Sequence, residues 1–194
     1  MSINKQMNIV IEVETDIGVL HVHSTPITLE NFERHYLIMS KTWAALYGEG
    51  LGAISGPRVS YLMLKDIATS RKMWDGQDGV KNTLVAEIIR LSNVALPDAN
   101  GGWRRISLDR AHEEKMLGAT EMSELLGALV FFTLASAIQR GKELLITLAG
   151  MNGVWGTRAA SWSFTEYVDS LQTSTEAANT GEMAETTPLS SVPH

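Results

Sequence analysis

The chain opens on a period of two. Between residues 8 and 23, Ile9, Ile11 and Val13 fall on one side of an alternating run, and Leu20 and Val22 follow after Asp16-Ile17-Gly18. Glu12, Glu14, His21 and His23 occupy the other side, so the pattern predicts a β-hairpin with one wet face. Two strands alone are marginal in water, so the apolar face must lie on helices or on another subunit's sheet.

The period then lengthens. Thr25-Pro26 breaks the strand, Thr28 is placed to cap a helix, and Glu30 suits its first turn. Leu29, Phe32, Tyr36, Met39, Trp43 and Tyr47 recur at steps of three or four, until Gly48 and Gly50 stop the helix. Pro57 fits the first turn of a second helix carrying Val59, Leu62, Met63 and Ile67. Trp74 to Gly79 reads as a loop, and Val80, Leu84, Ile88 and Leu91 form the stripe of a third helix from Val80 to Asn93.

Pro97 to Gly102 reads as a further loop, and Ser107 or Leu108 opens a short charged helix reaching Met116. Thr120 begins the most hydrophobic helix, apolar nearly all round from Leu125 to Ile138 and so placed at the centre of a bundle. Those fourteen residues fall short of the length that spans a bilayer, and the segment is read as core. Gly141 ends it, and Lys142 to Met151 adds a further turn or two. Ser163-Phe164-Thr165-Glu166 is a capping box for a short last helix.

These elements predict a mainly α fold: a helical bundle with a short N-terminal β-hairpin (residues 1–24), a helical domain (25–169) and a flexible acidic tail (170–194). Too little apolar surface follows Leu171 to offset chain ordering, so deleting residues 172–194 should leave thermal unfolding nearly unchanged.

Charge sharpens the division. All 16 Lys and Arg residues lie at or before Arg158, whereas Glu166, Asp169, Glu176, Glu182 and Glu185 follow with no base among them. A net charge of −6 argues against nucleic acid as a partner. The absence of cysteine removes disulfides, thiolate chemistry and sulfur-ligated zinc. No membrane segment, secretion signal or cofactor motif is read.

Reactive constellations are sparse. His21 and His23 with Glu12 and Glu14 across the ladder could hold a divalent metal, but cross-strand charge pairing on a wet face accounts for them more simply. Glu121 and Glu124 flank a helix start, where acids oppose the dipole. Gly48-Glu49-Gly50-Leu51-Gly52 lacks the Lys-Ser/Thr of a phosphate loop. With no nucleophile elbow either, the chain reads as a non-enzyme that binds protein. The aromatic segment Trp155, Trp162, Phe164 and Tyr167, with Leu171, either packs back on the core or forms the partner-binding surface, and it is the binding site this pattern favours. The nine methionines, Met39, Met63, Met116 and Met122 among them, either line an adaptable groove or fill core gaps.

A set of landmarks adds a family. Lys41-Thr42-Trp43 with Tyr47-Gly48-Glu49-Gly50, then Glu87-Ile88-Ile89-Arg90-Leu91-Ser92-Asn93-Val94, Gly102-Trp103, Phe131-Phe132-Thr133 and Ser170-Leu171-Gln172-Thr173-Ser174 resemble the tail assembly chaperones of long-tailed phages. The similarity runs from Val19 to Ser174. It implies a mainly helical protein of the host cytoplasm that binds the tape measure protein, keeps its hydrophobic helices soluble and lets tail tube protein polymerise around it. It also implies absence from the finished virion, and homo-oligomers are compatible with it. The alternative from the residues themselves is a structural virion or ring subunit that assembles by strand addition and tail exchange.

Overall fold

The computed structural model of the protein describes residues 7–98 and 101–171. The hairpin is present: β1 (Asn8–Thr15) and β2 (Gly18–Ser24) pair antiparallel, with Glu12 opposite His21 and Ile11 opposite Val22. The turn between them is two residues long, and Gly18 follows it at φ 114°, a conformation that favours glycine.

The hairpin is not short of company, and here the expected helical bundle gives way to a mixed α/β fold. β3 (Ser92–Pro97) and β4 (Trp103–Ser107) extend the sheet beyond β2, and β5 (Arg158–Ala160) pairs with the start of β1. The result is one five-stranded antiparallel sheet of order β4-β3-β2-β1-β5. The Val80–Asn93 stripe is helical only as far as Arg90: a π-helical turn at Lys81–Val85 runs into α3 (Ala86–Arg90). Leu91 then releases the chain into β3, where Val94 and Leu96 enter the core. The sheet that the hairpin begins is completed by strands from residues beyond 24.

The long helices pack on one side of that sheet. α1 (Leu29–Gly48) begins where Thr28 Oγ1 accepts the Asn31 N–H at 3.3 Å. α2 (Gly52–Ser70) starts a full turn before Pro57, which sits inside it. α4 (Leu108–Glu113) is short, and α5 (Ala119–Ile138) is the central helix. Every residue from Leu125 to Ala135 is buried. At twenty residues α5 is long and apolar enough to cross a membrane, but most of it is buried inside this fold. Gly127 lies where a Cβ would collide with the Pro57 carbonyl oxygen, so the backbones of α5 and α2 approach as closely as only glycine permits.

Gly141 begins a helix rather than merely ending one. α6 (Gly141–Trp155) runs for fifteen residues and stops at Gly156, which adopts the left-handed conformation at φ 61°. α7 (Phe164–Ser170) opens on the capping box as the sequence predicts, with Ser163 and Glu166 bonded reciprocally. The tail at residues 172–194 lies outside the described residues.

Register assigns the sheet two faces. Ile9, Ile11, Leu20, Val22, Val94, Leu96 and Ile106 share the inner face and join the helices in one core. Glu12, Glu14, His21, His23, Asn93, Trp103, Arg105 and Arg158 share the outer face. That face is not wet throughout, because α7 lies against it and buries His21 and His23.

Candidate functional site

The aromatic segment is divided by the fold. Tyr167 has no exposed surface, and its hydroxyl is 2.9 Å from His21 Nδ1. Burial pushes the Tyr167 phenol up to about 12 and holds His21 below its usual range. A protonated phenol and a neutral imidazole thus share one hydrogen bond between the Tyr167 hydroxyl and Nδ1. His23, also lowered by burial, uses Nε2 to donate to the Trp162 carbonyl at 3.0 Å. A carbonyl accepts only, so His23 carries its proton on Nε2.

Phe164 meets the His23 ring edge-on at 5.9 Å, with the Arg105 guanidinium 5.1 Å above its own ring centroid. Trp162 remains exposed against Tyr167, and Leu171 is half-buried where the helix ends. Trp155 sits apart, at the end of α6, donating its indole N–H to the Ile54 carbonyl at 3.0 Å. The five residues therefore do not converge on one surface. Four of them fasten or flank the α7 lid, and Trp155 ties α6 to α2.

The histidine face is occupied by these contacts and by an ion pair. Glu12 bonds Arg158 at 2.8 Å and lies 3.8 Å from His21. Among the described residues no group of three or more His, Asp or Glu side chains is placed to hold a metal ion. Of the methionines named above, Met39 and Met122 are buried, and Met63 and Met116 pack against the core.

A different surface has the form of a binding site. A groove of about 510 Å³ opens where the chain entering α1 faces the junction of α5 and α6. Ile27, Leu29, Phe32, Ala137, Leu144 and Leu145 supply its apolar lining, and Arg140 stands among them. Leu29 is 66% exposed and Leu145 54%, with Ile146 beside it at 61%. Such contiguous exposed apolar surface marks interaction sites in soluble proteins. The signal was present in the sequence as Leu144-Leu145-Ile146. Three successive apolar residues span about 200° of a helix, more than one packed face covers.

A second, smaller cleft of about 260 Å³ lies between β1 and α5 and is lined by Glu12, Glu14, Glu121 and Glu124, with Trp155 and Leu125 as apolar walls. Glu121 does take the first-turn position of α5, as expected for an acid opposing the helix dipole, but it also faces this cleft. No family model, no curated protein and no solved structure matches this chain.

Proposed function

We propose that the protein is a non-enzymatic tail assembly chaperone of a long-tailed phage, acting in the host cytoplasm on the tape measure protein. The apolar groove between the start of α1 and the α5–α6 junction carries this reading. Its volume and lining suit the apolar stripe of an amphipathic helix, whose i, i+3 and i+4 side chains enter such grooves as anchors. A tape measure protein offers many stripes of that kind, and the family landmarks name it as the partner. Leu29, Phe32, Leu144 and Leu145 would make the contact, while the net charge of −6 keeps the loaded complex in solution.

Co-expression with the tape measure protein of the same genome is the test. A soluble complex is expected with the native chain, and Leu29→Asp with Leu145→Asp should abolish it without unfolding the protein, because both side chains are exposed. If the tape measure protein never co-purifies, or if the double substitution leaves the complex intact, the reading fails.

The sheet ends in β4 on one side and, beyond the short β5, in β1 on the other, and such margins favour a second reading, the structural virion or ring subunit that assembles by strand addition. Mass spectrometry of purified particles separates the two: the chaperone is absent, and a structural subunit is present in many copies.

A further inference from the structure

β5 covers only the first part of β1, and the uncovered remainder borders a cleft. Asn8 pairs with Ala160 and Val10 with Arg158, after which β1 continues on that side through Glu12 and Glu14. The chain reaches β5 from the end of α6 through Gly156, and its pairing with β1 starts only at Arg158. Trp155 and Thr157, just before that point, help to line the cleft of about 260 Å³ between this edge and the start of α5.

Backbone phase leaves that edge ready to pair. Thr15 and Gly18 flank a two-residue turn and form a bonded pair, so alternation directs the N–H and C=O of Val10, Glu12 and Glu14 away from β2. Those of Val10 meet β5, whereas Glu12 and Glu14 have no strand partner on that side among the described residues. A segment laid antiparallel along them bonds through its residues opposite Glu12 and Glu14, whose side chains share the outer face. The residue between these, opposite Val13, shares the inner face and sends its side chain into the cleft.

The cleft selects the chemistry of that side chain. Leu125, Ala128 and Trp155 give it apolar walls, and Trp155 is held by its indole bond to the Ile54 carbonyl. Glu14, Glu121 and Glu124 line it as well, none of them in an ion pair among the described residues, and none of the described residues around it is basic. Glu12 is already bonded to Arg158 and contributes no free charge. A purely apolar side chain would strip water from three carboxylates without replacing it, and a compact cation would leave the walls uncovered. Arginine or lysine meets both demands, because the aliphatic stem covers the walls while the cationic head reaches the carboxylates. Glu121 and Glu124 stand three residues apart on one helix face, a spacing that suits the forked guanidinium better than an ammonium.

We infer that the edge of β1 at Glu12 and Glu14 receives an extended basic segment of a partner protein, added as a strand with an arginine or lysine side chain in the cleft. The backbone bonds give attachment, and the inward cation gives specificity. The site is separate from the groove at the α5–α6 junction: the cleft meets α5 at residues 120–128, the groove at residues 136 and 137. The inference therefore does not rest on the tape measure protein being the groove's occupant.

Titration of the full chain with a capped peptide of alternating threonine and arginine, followed by amide NMR, tests it. The expected result is slowed hydrogen exchange at the Glu12 and Glu14 amides, a shifted Trp155 indole signal and an affinity that falls with salt. Glu124→Lys and Glu14→Lys, both at exposed positions, should each weaken binding about tenfold. Glutamate in place of the peptide's arginines should abolish binding. N-methylation of the peptide residues that face β1 should abolish it too, since it keeps the charge and removes the backbone donors. No binding, equal binding by the N-methylated peptide, or indifference to Glu124→Lys would each overturn the inference. So would protection of the Glu12 and Glu14 amides that appears in the chain alone as its concentration rises, because a second copy would then hold the edge. Leu29→Asp with Leu145→Asp should leave peptide binding unchanged, and a loss there would place the peptide in the groove and overturn the inference as well. These measurements omit the tape measure protein, so a failure here leaves the groove reading standing, and a failure there leaves this one.

Discussion

The two faces of one sheet are held by different physics. The inner face meets α5 and its neighbours through apolar side chains in the continuous core, where Leu20, Val22 and Val94 have no exposed surface. The outer face is covered by a single seven-residue helix fastened at a few polar points: Tyr167 on His21, Trp162 on His23, and Phe164 beneath Arg105. Apolar packing is non-directional and shared among many contacts, so the inner layer opens only with the whole fold. The outer layer depends on a few directional bonds and can open by itself.

The contrast breaks most visibly under truncation. Phe131→Ala, inside the α5 core, should lower unfolding free energy by about 3–5 kcal/mol in one cooperative transition, measured by urea denaturation. Tyr167→Ala should lose about 2–3 kcal/mol from the buried ring. Its mark is local: amide exchange should accelerate in α7 and at Asn8–Val10, while α5 amides stay protected. Uniform acceleration would mean that the lid is energetically part of the core.

Tyr167→Phe isolates the hydroxyl. It should cost about 1 kcal/mol, and the His21 ring should then titrate without its phenol partner, visible by imidazole NMR.

The smallest effect is a pH dependence. Burial holds His21 and His23 below 6.5, with Glu12 partly opposing and Arg158 reinforcing the shift at His21. The unfolded chain therefore takes up protons first, so this contribution is fully present above about pH 6.5 and is lost as pH falls below it. His35 adds the same sign from α1, through burial and the neighbouring Arg34. Protection factors in α7 should accordingly drop more than those in α5 on acidification. At the alkaline end Tyr167 contributes stability that is present below about pH 10 and lost as pH rises through about 12. Equal pH dependence in both layers would remove the distinction between them.

Legibility in the sequence followed the length of each pattern. The β1–β2 hairpin, α1 with its Thr28 cap, the apolar α5 and the Ser163–Glu166 box were all readable, because each repeats a period or uses a local capping bond. β3 was not, since Val94-Ala95-Leu96 is too short to separate a strand from the end of the helix before it. β4 carries Trp103-Arg104-Arg105, whose exposed arginines mask the alternation. β5 has three residues and exists only because β1 is beside it. α6 was cut short because its hydrophobic residues surround the helix, and their surplus forms the groove.

By itself the sequence determined the β1–β2 hairpin, α1 with its Thr28 start, the capping box that opens α7, and that the longest apolar helix is buried. Those properties arise from neighbours three or four residues apart, or two apart in strands, and need no distant partner. Only the tertiary structure decided that the hairpin's polar face is roofed by α7, that three short segments complete its sheet, and that the apolar surplus of α6 meets the start of α1 in a groove. Most of these contacts join distant parts of the chain, as Ser92 meets Ser24 across 68 residues and Tyr167 meets His21 across 146. Burial and pairing at that range are settled by the packed whole.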